Sequence, residues 1–122
     1  MFCRMALMFI LAVPCSLVAQ ARDQLFAKSY AVVIGINDYT HPKWPKLNYA
    51  LKDAQGFSAF LREQGFEVIE LYEDEATKSA ILSSIEDKLV PRLTADDRVV
   101  VFFAGHGETR AVGSVDRGYL VP

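Results

Sequence analysis

Cysteine and histidine are scarce in this sequence. Each occurs only twice in 122 residues, and both cysteines, Cys3 and Cys15, lie near the N-terminus. A chain that lost its N-terminal segment would have no disulfide, no thiolate metal site and no thiol nucleophile. The two histidines are far apart in sequence and have no clustered carboxylates beside them, so we expect no metal site.

Other functional patterns are also missing. The first apolar run is followed by Asn37-Asp38-Tyr39 rather than by a glycine-rich phosphate loop. No Gly-x-Ser-x-Gly turn is present to carry a serine nucleophile. Lys and Arg form no cluster, and from Arg22 onward the formal charge is about −3. This mild acidity argues against nucleic acid or an anionic membrane as a partner.

The N-terminus has the three parts of a secretory signal peptide. A short basic start ending at Arg4 precedes an apolar segment, and Ala19-Gln20-Ala21 fits a signal-peptidase site. We therefore expect residues 1–21 to be removed and a mature domain to begin at Arg22, in a secreted or periplasmic protein. The apolar segment is too short to span a bilayer comfortably, so we expect no stable membrane anchor.

Strand and helix patterns alternate along the rest of the chain. Continuous apolar runs predict strands, and apolar residues three or four apart predict helices. The predicted order is a strand at 29–36, a helix from Asn48 as N-cap to Gly65, a strand at 66–71, a helix from Thr77 as N-cap to Pro91, a strand at 99–103, and then a hairpin or loop. Such alternation implies a mostly parallel sheet with helices on both faces.

Two predictions concern burial. The run Val99 to Phe103 has no polar alternation, which is typical of a strand covered on both faces in the middle of a sheet. The strand at 66–71 alternates more, as a strand nearer the edge would. The positions expected to form the inner helix faces are Tyr49, Ala50, Ala54, Phe57, Phe60 and Leu61 in the first helix and Ile81, Leu82, Ile85 and Leu89 in the second.

His106 follows the strand at 99–103 and has glycine on both sides. Ligands of open α/β sheets bind beyond the carboxyl ends of strands, so an imidazole here is placed for acid–base chemistry. The backbone N–H of Gly107 could serve as an oxyanion donor. A loop histidine is more often a surface residue without a catalytic role, and the pattern leaves that alternative open.

Asp53 lies near the start of the first helix. It is either a solvated acid that interacts with the helix dipole or a carboxylate at the rim of a pocket for a Lys or Arg side chain. The acidic residues from Glu70 to Glu75 predict a solvated turn.

Five segments, in this order and spacing, resemble the caspase-like cysteine peptidases, and most closely the bacterial metacaspase-type members. They are residues 30–39 (YAVVIGINDY), 47–54 (LNYALKDA), 65–68 (GFEV), 103–107 (FAGHG) and 118–122 (GYLVP). The resemblance implies a caspase–haemoglobinase-like fold, which is a flavodoxin-like three-layer sandwich, here truncated.

The resemblance also implies site residues. His106 matches the dyad histidine, which assists the cysteine thiolate and protonates the leaving amine, and Gly107 matches an oxyanion-hole position. Asp53 and Ala104 match positions that line the pocket for a basic residue before the cut. The implied partner is therefore a peptide or protein substrate cleaved after Arg or Lys. Some family members need calcium, but no acid cluster for it is identifiable here, and no other cofactor is expected.

The family's nucleophile is a cysteine about 50 residues beyond the histidine, which this sequence does not reach. We therefore expect residues 22–122 to be the N-terminal part of a cysteine endopeptidase, with negligible activity alone. One alternative is a non-catalytic caspase-like module that binds peptides or partners. Another is a flavodoxin-like or receiver-like domain, which is disfavoured because Gly105-His106-Gly107 stands where a receiver would carry its aspartate.

Overall fold

The computed structural model describes residues 25–122. The predicted signal peptide, residues 1–21, lies outside the described residues. Within residues 25–122, no helix has the length and apolar character needed to cross a membrane.

A three-stranded parallel sheet forms the centre of the molecule. Its strands are β1 (Ser29–Gly35), β2 (Glu67–Tyr72) and β3 (Arg98–Ala104), in the spatial order β2-β1-β3. The helices are α1 (Ala50–Glu63) between β1 and β2, and α2 (Lys78–Ser83) between β2 and β3. The predicted α/β order and parallel sheet are confirmed.

Side chains of β1 alternate between the two faces of the sheet. Tyr30, Val32 and Ile34 pack on one face against Ile81 of α2 and against Ile85 and Leu89, which follow α2. Ala31 and Val33 pack on the other face against α1. All five of these β1 residues are at most 2% exposed. We call the two sides the α2 face and the α1 face.

Glycine allows α1 to lie close to the sheet. A Cβ on Gly35 would stand 2.5 Å from the Cβ of Ala54, so only glycine permits this approach. The contact fixes the first turns of α1 beside the carboxyl end of β1. At the other end, Gly65 has φ +81°, and the N–H groups of Gly65 and Phe66 donate to the carbonyls of Arg62 and Leu61. This is the predicted glycine stop, in the form of a Schellman motif.

The predicted cap of α1 is wrong. The helix begins at Ala50, and its N-cap position, Tyr49, makes no side-chain cap. Instead Asn37, which follows β1, accepts a hydrogen bond from Leu51 N–H at 3.1 Å through its side-chain oxygen. A residue from the preceding loop thus replaces Asn48, because the loop folds back over the helix start.

The second helix is less regular than predicted. Thr77 caps it as expected, accepting from Ala80 N–H at 3.2 Å. Beyond Ser83 the chain continues as a π-helical segment (Ser84–Leu89) and a 3₁₀ turn (Val90–Arg92), so Pro91 lies within the last turn and not just after the helix.

Burial differs from the predictions at two places. In the described sheet the central strand is β1, whereas β3 is an outer strand with Val99 40% and Val101 53% exposed. The prediction that this run is covered on both faces is therefore wrong for the described residues. Three predicted inner-face residues, Tyr49, Phe60 and Leu82, are also exposed.

The last segment forms the predicted hairpin. Strands β4 (Gly107–Val112) and β5 (Val115–Leu120) pair antiparallel. Gly113 has φ +65° while Ser114 has no positive φ, which is the pattern of a type II′ turn.

Candidate active site

His106 lies between the end of β3 and the start of β4, and it is partly buried. Its Nε2 is 2.7 Å from the carbonyl oxygen of Pro45. A carbonyl can only accept, so Nε2 carries the proton and donates. In the neutral ring Nδ1 is then unprotonated, which leaves it as the nitrogen that can accept a proton.

Two aromatic rings flank the imidazole. Tyr39 meets it edge-on, with ring centroids 4.9 Å apart, and Trp44 lies tilted against it at 5.4 Å. Both residues belong to the loop of residues 37–49, which also carries Pro45. Three residues of one loop therefore contact the ring of His106. Neither the apolar runs nor the helix periodicity predicts these contacts.

The hydroxyl of Tyr39 fixes the backbone at the histidine. It accepts from His106 N–H at 2.9 Å and donates to the Val121 carbonyl at 3.1 Å. Burial raises the pKa of Tyr39, and the negative charge of Glu73 adds to the effect, so the hydroxyl stays protonated at neutral pH. A Cβ on Gly105 would lie 2.5 Å from the Tyr39 oxygen, which explains why glycine precedes the histidine.

Glu73, the residue that follows β2, supports the same loop. Its carboxylate accepts the N–H groups of Asn37 and Asp38, each at 3.0 Å, and its own φ is +49°. A left-handed glutamate is strained, and the two backbone bonds offset that strain. The predicted solvated turn is therefore wrong for Glu73, whose carboxylate is engaged at the loop. It is also wrong for Glu70, which lies within β2 and accepts side-chain hydrogen bonds.

The N–H of Gly107 points away from β5. Val121 N–H donates to the His106 carbonyl at 3.0 Å, so the neighbouring pair Gly107–Leu120 occupies a position without ladder hydrogen bonds. An outward-pointing N–H beside the imidazole has the chemistry of an oxyanion donor.

Ala104 and Asp53 both lie near the carboxyl ends of β1 and β3, on the α1 face of the sheet. Ala104 packs in the α1-face cluster and is the strand partner of Gly35, which in turn contacts Ala54. Asp53 is thus one residue from this contact, in the first turn of α1, exposed and without a side-chain bond among the described residues. No hydrogen bond or ion pair joins Asp53 to His106 in the described part of the chain.

Charged pairs surround the loop. Glu108 bonds to Lys43 and to Arg110, and these bonds lower the pKa of the Glu108 carboxyl, the Lys43 bond most. Lys46 pairs with Asp38 at 2.7 Å, and this bond raises the pKa of Lys46. His41 is exposed, and its Nδ1 accepts from Lys43 N–H. In the region 25–122, no three His, Asp or Glu side chains converge as metal ligands would.

Comparison with known proteins identifies the family. The caspase domain matches residues 28–122, nearly all of the described chain. The chain belongs to the caspase domain family. No curated protein matches.

A solved structure agrees in fold. The crystal structure of protein GSU0716 from Geobacter sulfurreducens has a TM-score of 0.63 and 29% sequence identity, over 74% of this chain. The chain covers 35% of that protein. The predicted caspase-like family and three-layer α/β fold are confirmed, whereas the roles of His106, Gly107, Asp53 and Ala104 stay predictions.

Proposed function

We propose that this chain is the histidine-bearing, N-terminal part of a caspase-like cysteine endopeptidase that cleaves after Arg or Lys. The observation that carries the proposal is the hydrogen bond from His106 Nε2 to the Pro45 carbonyl. It leaves Nδ1 to exchange a proton with a thiol and a leaving amine. Family membership supports peptide hydrolysis as the reaction class.

The nucleophile in this proposal is a cysteine from polypeptide beyond Pro122, since Cys3 and Cys15 precede the described residues. Its thiolate attacks the scissile carbonyl carbon, and the oxygen becomes an anion that Gly107 N–H stabilises. As the C–N bond breaks, His106 gives its proton to the leaving amine. Water, with His106 as base, then hydrolyses the thioester.

The pocket for the basic side chain lies on the α1 face in this proposal. The Asp53 carboxylate is exposed and unpaired among the described residues, so a substrate guanidinium or ammonium can reach it. The small side chain of Ala104 leaves room at the same edge. Because the Asp53 carboxylate attracts a cationic side chain and repels an anionic one, the pocket favours Arg or Lys before the scissile bond and disfavours Asp.

The competing candidate is a caspase-like module that binds peptides without cutting them. It is favoured by one observation, the lack of cysteine in residues 25–122. The DNA that follows codon 122 separates the two candidates. An in-frame continuation with a cysteine at a strand end supports the peptidase, and a stop codon supports the binding module.

Substrate choice is tested in the complete polypeptide with fluorogenic peptides that carry Arg, Lys or Asp before the reporter. We expect cleavage of the Arg and Lys peptides only. Asp53→Asn should lower kcat/KM for the Arg peptide by about tenfold or more, as expected for a lost charge-assisted bond. Glu63→Gln, at the exposed far end of the same helix, is the control and should change little. Unchanged selectivity in Asp53→Asn would show that Asp53 does not bind the basic side chain.

A further inference from the structure

A concavity of about 210 Å³ lies between Trp44 of the 37–49 loop and the hairpin. Trp44 of this pocket lies tilted against the His106 ring, and Val121 N–H donates to the His106 carbonyl. The lining residues are Trp44, Glu108, Arg110, Tyr119, Leu120, Val121 and Pro122.

Neither Asp53 nor Ala104 lines this pocket. Trp44, Val121 and Pro122 also line a larger groove of about 820 Å³ that includes Ile36 and Ala76 of the α2 face. The proposed function puts the basic side chain of a peptide on the α1 face and its scissile bond at His106, so the residues after the scissile bond would pass Trp44 towards the α2 face.

The charged residues of the lining are Glu108 and Arg110, and Lys43, which does not line the pocket, also pairs with Glu108. These three side chains together carry one positive charge in excess. Both cations are accessible, with their side chains 54% and 66% exposed. Each also lies over an aromatic ring, Lys43 at 4.7 Å from the Trp44 centroid and Arg110 at 5.8 Å from that of Tyr119.

We propose that this pocket binds an acidic side chain on the carboxyl-terminal side of the scissile bond. The methylene groups of the acid pack on Trp44, and its carboxylate pairs with Arg110. This assignment rests on the proposed peptidase function, and it makes a basic residue followed by an acidic one the preferred cleavage sequence.

Trp44 is the only tryptophan of the chain, so its fluorescence reports binding directly and does not depend on cleavage. The full chain is titrated at low salt with the amidated tripeptides Glu-Ala-Ala and Gln-Ala-Ala, which differ by one charge. We expect both to saturate, with the Glu peptide binding about two- to fivefold more tightly, as for an exposed ion pair. The preference should fall as salt is raised.

Arg110→Gln should abolish the preference for the Glu peptide. Arg117→Gln is the matched control, because Arg117 stands directly opposite Arg110 in the hairpin but does not line the pocket, and it should keep the preference. Equal affinities for the two peptides, or no saturable change in emission, would overturn the assignment.

Failure of the proposed pocket can be distinguished from failure of the proposed peptidase function. A complete protein that cleaves after Arg whatever residue follows refutes the pocket's role and leaves the peptidase standing. A complete protein that cleaves no peptide refutes the peptidase and the subsite with it.

Discussion

Tyr39 connects three parts of the chain through one hydroxyl. Its oxygen joins the His106 backbone to the Val121 carbonyl, and its ring touches the imidazole. The phenol therefore positions His106 without being close in sequence to it. Its role depends on Gly105, since any larger residue would occupy the space of the hydroxyl.

We predict that Tyr39→Phe destabilises the fold by about 1–2 kcal/mol, because a partly buried N–H and carbonyl each lose their partner. Urea unfolding of the full chain measures the change. Tyr49→Phe is the control, since Tyr49 is 69% exposed and should leave the free energy of unfolding within about 0.5 kcal/mol. Equal effects of the two substitutions would show that the Tyr39 hydroxyl contributes nothing.

At the level of single residues, the sequence predicts the position of His106 better than its surroundings. The glycines and the preceding apolar run are local signals, and they place the imidazole at a strand end. The contacts with Tyr39, Trp44 and Pro45 span more than sixty positions, and they depend on the path of an irregular loop. No periodic pattern encodes that path.

A polar network ties α1 to β2. One oxygen of Glu70 accepts from Ser58 at 2.5 Å, from Arg62 at 2.7 Å and from Tyr72 at 2.9 Å. The Arg62 bond, with help from the two hydroxyls, lowers the pKa of Glu70 to about 2. Burial, with the bond to Glu70, raises the pKa of Tyr72 to about 12.

This network predicts sensitivity to acid. The folded-state pKa of Glu70 lies below the unfolded value of 4.5, so its stabilising contribution is complete above pH 4.5 and is lost as the pH falls towards about 2. Thermal unfolding of the full chain between pH 2 and 6 measures the loss. Glu70→Gln should flatten this part of the profile.

Glu75→Gln serves as the control for the acid profile, because Glu75 is exposed and should leave the slope unchanged. An identical slope in Glu70→Gln and the unmodified protein would contradict the role given to the network.

Element order and type were predictable because apolar runs and helical spacing are strong local signals. The cap of α1 was not, because Asn37 reaches the helix from the far end of a loop. The apolar pattern also does not predict the buried Gly35–Ala54 contact, since small residues contribute little to the periodicity of apolar residues. Thr77 was correctly predicted because an N-cap bonds within its own turn.

At the scale of the whole molecule, a run of apolar residues did not determine how deeply a strand is buried. Tyr30 to Ile34 is covered by helices on both faces, whereas in β3 the side chains of Val99 and Val101 are uncovered among the described residues. Both runs look alike in sequence. Their burial depends on which elements pack against them, which only the assembled sheet defines.

The central claim is that the imidazole at the sheet edge exchanges protons during peptide cleavage. Its most direct test compares His106→Ala with His41→Ala in the complete polypeptide, with circular dichroism to confirm folding and an Arg-containing fluorogenic peptide as substrate. We expect His106→Ala to lower kcat/KM by about 100-fold or more, and His41→Ala to change it by less than about twofold. A folded His106→Ala protein with undiminished cleavage would contradict the account.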